Sequence, residues 1–232
     1  MSNLYDVGLE NRADRAIASF LDAEYQAQGE TLYQWYRLRF LVDHNRSLTR
    51  TIGLAPKDKA IARFVLQHRG SVDRLVEIGA GIGQLSMLVA LQGMRSIGVE
   101  AASAHAAMMT RLLGRLEEEV DPTIRARMSP VSDFYPNRAH EYVTSRSIIA
   151  FPSLSFGIDV ETERSILDSL RLASGVVLSL GGFFRPREAA AEQEELVAQI
   201  AGRGFGEPEV VYAWQDWEMG FKPDRIVFMR KL

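Results

Sequence analysis

The feature that most constrains this chain is a regular alternation of strand-like and helix-like segments, which begins near residue 71. Short apolar and β-branched runs predict strands at residues 73–78, 96–100, 126–131, 147–151 and 175–180. Helical stretches follow four of these runs, at residues 84–92, 101–120, 160–173 and 186–200. This alternation is typical of βαβ units, which form a parallel sheet through right-handed crossover connections.

Both ends of the chain depart from this alternation. The runs at 209–214 and 225–230 have no helix between them, so they predict an antiparallel pair at one edge of the sheet. The first 70 residues have helical character, with a predicted helix at 14–28, and a later helix that begins at Pro56 and ends at Gly70.

The predicted fold class is therefore α/β. We expect a doubly wound, mostly parallel seven-stranded sheet with an antiparallel last strand, plus an N-terminal helical cap. We predict that the cap covers residues 1–55 and that the sheet domain covers residues 56–232.

Composition narrows the function classes. The chain has 232 residues and a formal net charge of −3, so it has no overall positive charge for nucleic acid or anionic membrane. Cysteine is absent, which excludes disulfides, cysteine-ligated zinc and thiol nucleophiles and fits a reducing compartment. No signal peptide and no membrane-spanning run of about 20 apolar residues is evident, so we expect a cytoplasmic protein.

A glycine-rich turn between a predicted strand and a predicted helix is the strongest local motif. Glycines at Gly79, Gly81 and Gly83 allow positive φ and let a ligand approach the backbone. The dinucleotide pattern G-x-G-x-x-G requires its third glycine at position 84, which is Gln84. A carboxylate at Glu77 would repel a pyrophosphate, whereas it suits a ligand with an ammonium or sulfonium charge.

The Glu-x-Gly-x-Gly-x-Gly pattern resembles motif I of the S-adenosylmethionine-dependent methyltransferases of the Rossmann-like (class I) fold. In that family the turn surrounds the methionine part of S-adenosylmethionine. The resemblance extends from about residue 71 to the C-terminus, and the family's sheet also ends with an antiparallel seventh strand. It implies cofactor contacts for Glu77, Gly79, Ala80, Gly81 and Gly83.

Two acidic residues at later strand ends strengthen this resemblance. Glu100 ends the second strand, where the family's acid accepts hydrogen bonds from both ribose hydroxyls. NAD enzymes place an acid similarly, so Glu100 supports adenosine binding without choosing the cofactor. Asp133 resembles the family's acid that contacts the adenine amino group, and Phe134 is available for the adenine ring.

The residues that carry the chemistry are less clear. After the fourth strand the chain reads Ala150-Phe151-Pro152-Ser153, without the acid or amide of the methyltransferases that act on amide or ring nitrogens. An acidic metal triad is also missing at this strand end, so we expect no metal. The catalytic residue is unknown. His44 is a candidate base because helices before motif I often cap the acceptor pocket.

The sequence therefore predicts methyl transfer from S-adenosylmethionine to an oxygen or nitrogen atom of a small molecule, with no nucleic-acid or membrane partner. A non-catalytic S-adenosylmethionine-binding protein is one alternative. An aminopropyltransferase or an NAD(P) oxidoreductase on a similar fold is another. The acceptor and the oligomeric state stay open.

Overall fold

The computed structural model describes residues 5–28, 53–152, 159–181, 187, 189–216 and 221–232. The strands are β1 (Arg74–Ile78), β2 (Arg95–Glu100), β3 (Met128–Ser132), β4 (Ser147–Phe151), β5 (Gly175–Ser179), β6 (Glu209–Asp216) and β7 (Phe221–Arg230). The α-helices of the described residues are α1 (Val7–Gln28), α2 (Pro56–Gln67), α3 (Gln84–Leu91), α4 (Ser103–Glu119), α5 (Ala139–Tyr142), α6 (Val160–Ser169) and α7 (Ala190–Ala201). Single turns of 3₁₀-helix lie at Ile124–Ala126 and Leu170–Leu172.

All seven strands form one sheet in the order β3-β2-β1-β4-β5-β7-β6. The pairs among β1 to β5 are parallel, whereas β7 is antiparallel to both β5 and β6. The predicted fold class is confirmed. Since the strand order runs outward in both directions from the centre, it reverses between β1 and β4, where α/β sheets of this kind bind ligands.

Each face of the sheet is covered by its own set of helices. Alternate side chains of β1 point to opposite faces, so Leu75 joins the apolar core beneath α1 to α4. Val76 and Ile78 join a second core that includes residues of α5, α6 and α7. These two cores fix β1 in the middle of the molecule and leave its carboxyl end at the crevice.

Helix α1 begins at Val7, seven residues before the predicted start at residue 14. The Asp6 side chain accepts a hydrogen bond from the Leu9 N–H at 2.9 Å and so caps the helix. Glu10 is buried, and its carboxylate accepts hydrogen bonds from Tyr5 and Arg63. The polar residues before position 14 therefore belong to the helix, because their partners lie in other parts of the chain.

Other element boundaries differ modestly from the prediction. The third strand begins at Met128 because residues 124–126 form a 3₁₀ turn. The helix predicted to end at residue 173 ends at Ser169, and a second 3₁₀ turn follows it. The short helix α5 is not predicted by the sequence, since four residues give no helical periodicity.

Helix α3 is fastened at both ends to the N-terminal part of the chain. At its start, Gln84 Nε2 donates to the Gly53 carbonyl at 2.7 Å. At its end, Gln92 accepts from the Asp6 N–H at 2.7 Å and donates to the Asp6 carbonyl at 2.8 Å. Helix α1 also contributes to the core beneath α2 to α4, and the domain division at residue 55 stays a prediction.

Across the described ranges, the helices are too short or too polar for any of them to cross a lipid bilayer.

Candidate active site

The turn between β1 and α3 adopts the conformation that its glycines permit. Gly79, Gly81 and Gly83 have φ values of 65°, 57° and 77°, in the left-handed region that other residues rarely adopt. The Ala80 N–H donates to the Val99 carbonyl at 3.0 Å, which fastens the turn to β2. The turn thus lies over the carboxyl ends of β1 and β2.

Two of these glycines face different surroundings. A Cβ atom at Gly83 would lie 2.8 Å from side-chain atoms of Met109, so packing against α4 requires glycine there. Among the residues that the structure describes, no heavy atom would lie within 4 Å of a Cβ atom at Gly81. The backbone at Gly81 therefore borders open space, as the predicted ligand cradle requires.

Glu100 holds the same turn from the end of β2. Its Oε2 accepts the Gly81 N–H at 2.8 Å, and its Oε1 accepts the Ala102 N–H at 2.8 Å. His105 Nδ1 lies 4.0 Å from Oε1. Burial raises the pKa of Glu100, but His105 and the two N–H donors outweigh it and hold the pKa below its ordinary value. Glu100 is therefore a charged carboxylate at neutral pH.

Asp133 and Phe134 lie beside Glu100. The Asp133 N–H donates to the Glu100 carbonyl at 3.1 Å, and Asp133 Oδ2 accepts from the Tyr142 hydroxyl at 3.1 Å. Burial and the neighbouring Asp133 raise the pKa of Tyr142, so this hydroxyl stays a donor. Phe134 is 50% exposed. The fold thus brings together Glu100, Asp133 and Phe134, which the sequence analysis assigns to the adenosine part of the cofactor. Their contacts with a ligand stay a prediction.

Glu77 differs from the expectation of an ionised carboxylate. It is buried, and its Oε2 accepts hydrogen bonds from the Ser86 N–H at 2.9 Å and the Ser86 hydroxyl at 2.7 Å. Burial, and next the charge of Asp58, raise the pKa of Glu77 to about 8. Glu77 is therefore mostly protonated at neutral pH, and its contact with a cofactor stays a prediction.

Lys57 and Asp58 are site residues that the sequence does not reveal. Lys57 Nζ donates to the Pro152 carbonyl at 3.1 Å, which places its ammonium group just beyond the end of β4. Asp58 is buried, and burial raises its pKa. Both residues follow Pro56 in the first turn of α2, where an aspartate is favoured by the helix dipole whether or not it has a functional role. The weak sequence signal is that α2 directly precedes the strand of the glycine motif.

The end of β4 is apolar as far as the structure describes it. Ala150 and Phe151 are fully buried, and Pro152 is buried as well. The candidate base His44 and the stretch 153–158 lie outside the described residues. Among the described residues, no group of three or more histidine, aspartate or glutamate side chains could hold a metal ion.

The other histidines have separate positions. His68 is the C-cap of α2, and its Nδ1 lies 3.0 Å from the Phe64 carbonyl oxygen. His140 is exposed on α5. His105 lies on α4, with its Nδ1 4.0 Å from Glu100 Oε1.

Comparison with protein-family models and with curated proteins finds no match. Solved structures do match. The N-terminal domain of EvdMO1, crystallised with SAH and D-fucose, has a TM-score of 0.55 and 16% identity, covering 77% of this chain and 84% of that one. Magnesium protoporphyrin IX methyltransferase (ChlM) from Synechocystis PCC 6803, with bound SAM, has a TM-score of 0.55 and 13% identity over 100% of both chains.

A third similar structure is the proposed RNA methyltransferase PH1948 from Pyrococcus horikoshii. It has a TM-score of 0.52 and 13% identity, covering 74% of this chain and 82% of that one. At such low sequence identity, the structural similarity establishes the fold alone. The chain has the Rossmann-like, class I fold of the S-adenosylmethionine-dependent methyltransferases, as its glycine motif and terminal strand pair predict.

Proposed function

We propose that this chain is a methyltransferase that uses S-adenosylmethionine to methylate an oxygen or nitrogen atom of a small-molecule acceptor. One observation carries the proposal. The turn at Gly81 borders open space while Glu100 fixes its N–H, in the crevice of a class I sheet. A backbone cradle of this kind suits a ligand that must approach without side-chain obstruction.

The described residues fit S-adenosylmethionine in their chemistry. The glycine turn would hold the methionine part, Glu100 the ribose, and Asp133 with Phe134 the adenine. A carboxylate has about four lone-pair positions, and backbone N–H groups take two of those on Glu100. The other lone pairs, beside which His105 also lies, would accept hydrogen bonds from a vicinal diol.

The bound cofactor supplies a methyl group that its sulfonium already activates. The chain therefore has to align the acceptor with that methyl group and to manage the acceptor's proton. The apolar end of β4, with Ala150 and Phe151, would limit water beside the reacting atoms. Lys57 would place a positive charge at the same strand end. His44 stays the candidate base.

The small-molecule acceptor is supported by the charge of the chain. A net charge of −3 favours neither RNA nor DNA. The similar structures include an enzyme for magnesium protoporphyrin IX, a domain crystallised with D-fucose and a proposed RNA methyltransferase, so acceptors vary within this fold. A cytoplasmic location is part of the proposal and is supported by the absence of cysteine.

Isothermal titration calorimetry with S-adenosylmethionine, S-adenosylhomocysteine and NADH tests the cofactor. We expect the first two to bind and NADH to give no heat of binding. Tight NADH binding without a response to the other two would contradict the proposal.

Single-turnover transfer of a labelled methyl group to a panel of hydroxyl and amine compounds then tests the enzyme activity. Transfer to at least one compound is expected. The end of β4, which lacks a carboxylate or amide through Pro152, favours a non-catalytic binding protein as the second candidate. Cofactor binding without transfer to any compound of the panel would support that candidate.

A further inference from the structure

A groove lies between α6 and α7, the helices that follow β4 and β5. Its cavity volume is about 180 Å³, and it is lined by one face of α6 and by the end of α7 with the turn after it, through Val160, Glu163, Arg164, Leu167, Gln199 and Arg203. The α6 residues are spaced as i, i+3, i+4 and i+7, so they share one side of that helix. These lining residues are all different from the predicted cofactor residues, so the groove is separate from the glycine turn.

The charged side chains of the lining differ in how they are paired. Glu163 is buried and forms an ion pair with Arg187, which is buried as well. Arg203 forms an ion pair with Asp168, with Nη2 at 2.9 Å from Oδ1. The exposed Arg164 side chain has neither an ion pair nor a hydrogen bond within the part of the chain that the structure describes. Arg164 is therefore a lining cation that no described acid pairs with.

The two lining arginines supply hydrogen-bond donors. In Arg203, Nε donates to Asp168 at 2.9 Å and Nη1 donates to the Gln199 carbonyl at 2.6 Å. A guanidinium has five N–H donors, so Arg203 has capacity for another acceptor, and Arg164 has more. Guanidinium groups match carboxylate and phosphate oxygens, which they bind in pairs. The polar part of the groove therefore suits an oxyanion.

The apolar part of the lining adds a second requirement. Leu167 is buried, whereas Val160 is 61% exposed at the start of α6. A short carbon chain in the groove would cover Val160 and remove apolar surface from water, which is favourable. The volume of about 180 Å³ equals that of about six water molecules, so it suits a ligand with a few carbon atoms and excludes a nucleotide.

We propose that the groove is a binding site for a small organic anion, in which a phosphate or carboxylate group is attached to a short carbon chain. Arg164 and Arg203 bind the anionic group, while Val160 and Leu167 contact the carbon chain. This inference goes beyond the proposed function, because the cofactor and the acceptor belong to the crevice of the sheet.

Nuclear magnetic resonance titration of the full, ¹⁵N-labelled chain tests the inference. The probes are monobutyl phosphate, butyrate, inorganic phosphate and 1-butanol, all at one ionic strength so that charge screening is equal. We expect saturable shift changes with monobutyl phosphate and butyrate, concentrated in α6 and in residues 199–203. Inorganic phosphate should bind at least about fivefold more weakly than monobutyl phosphate, and 1-butanol should not bind. Binding of only one of the two organic anions would identify the anionic group that the site prefers.

Variants identify the responsible residues. Arg164→Gln should lower the affinity for the organic anion about 10-fold to 100-fold, the range for hydrogen bonds to a charged group. Val160→Ser should weaken binding of monobutyl phosphate and leave that of inorganic phosphate unchanged. Arg12→Gln is the matched control for Arg164→Gln, because Arg12 is also an exposed arginine of a helix, α1, and does not line the groove. Circular dichroism verifies that each variant folds.

The unmodified chain alone is enough to overturn the inference. Failure of both organic anions to give saturable shift changes would contradict it, as would binding of 1-butanol as tight as theirs. Equal affinity of Arg164→Gln and the unmodified chain would likewise contradict it. Because these titrations contain no S-adenosylmethionine, their failure would leave the proposed function intact.

Discussion

Glu77 and Glu100 are the same residue type near the carboxyl ends of adjacent parallel strands, yet their protonation differs. Glu77 is opposite Gly98 in the register, so it lies two residues deeper in the sheet than Glu100. Burial and Asp58 raise the pKa of Glu77 to about 8. Two backbone N–H groups and His105, outweighing burial, lower the pKa of Glu100. At neutral pH the side chain of Glu77 is therefore mostly neutral, whereas that of Glu100 is negatively charged.

The comparison shows that hydrogen-bond donors alone do not decide the charge of a carboxyl group. Glu77 also accepts two hydrogen bonds, both from Ser86. Its deeper burial and the second acid outweigh them. The glycine turn follows β1, which carries the neutral Glu77, and its Gly81 N–H donates to the charged Glu100 at the end of β2. The turn therefore links the two carboxyl groups.

Replacing Gly81, whose N–H links the turn after β1 to Glu100 on β2, should have the largest effect on cofactor affinity. Gly81→Asp places a carboxylate in the open space beside Glu100, so we expect the affinity for S-adenosylmethionine to fall roughly a hundredfold or more, measured by calorimetry. Gly204→Asp is the matched control, since Gly204 also has a positive φ, 91°, and open space at its Cβ position.

Both glycine variants should lose about 1 kcal/mol of unfolding free energy from backbone strain. The control should keep the affinity of the unmodified chain. Equal binding by Gly81→Asp and the unmodified chain would mean that the cradle lies elsewhere.

Removing the charge at the β2 end should have the next largest effect. Glu100→Gln replaces one acceptor oxygen by an amide, so cofactor affinity should fall about 10-fold to 100-fold, the range for hydrogen bonds to a charged group. Glu117→Gln serves as a control, because Glu117 is a partly exposed acid of α4 that pairs with Arg125.

The stability of Glu100→Gln should depend on pH with a definite sign. Since folding lowers the pKa of Glu100, its contribution is present above the ordinary value of about 4.3 and is lost as pH falls through the folded value. Urea unfolding should show the variant less stable at pH 7 and nearly equal to the unmodified chain near pH 3. A difference that grows in acid would contradict this assignment.

Removing the ionisable group on β1 should change the pH dependence of stability gradually, whereas the two preceding substitutions act on cofactor affinity. Folding raises the pKa of Glu77, so its protonated form stabilises the fold below the ordinary value, and this contribution declines as pH rises towards about 8. The unmodified chain should lose up to about 1.4 kcal/mol per pH unit relative to Glu77→Gln across this range. Urea unfolding at pH 5, 6.5 and 8 measures the difference, and parallel pH profiles would refute the raised pKa.

The smallest effect on cofactor affinity is expected for Phe134, which follows β3, the strand next to β2. Phe134→Ala removes a half-exposed ring that is available to stack on adenine, so affinity should fall about fivefold to tenfold. Unfolding free energy should change by less than about 0.5 kcal/mol. A large loss of stability with unchanged affinity would assign the ring to packing.

Much of this arrangement follows from local sequence patterns. The strand and helix periods predict the parallel sheet, and parallel strands place their carboxyl ends at one edge. Glu100 and Asp133 are therefore predictable neighbours, as the hydrogen bond between their backbones confirms. The positive φ of the turn is predictable from its glycines.

The unpredicted features depend on contacts between distant elements. Asp58 has no local signal, because its burial results from the packing of α2 on α3. The raised pKa of Glu77 depends on that packing too. The sequence likewise cannot separate Gly83, required by Met109, from Gly81, which borders open space.

The two glutamines that fasten α3 have a practical consequence for protein engineering. A shortened chain that starts at Pro56 would leave the amides of Gln84 and Gln92 without their Gly53 and Asp6 partners. It would also uncover the apolar residues over which α1 lies, and such patches promote aggregation. A shortened chain for expression should therefore keep helix α1, and an affinity tag should be attached at the C-terminus.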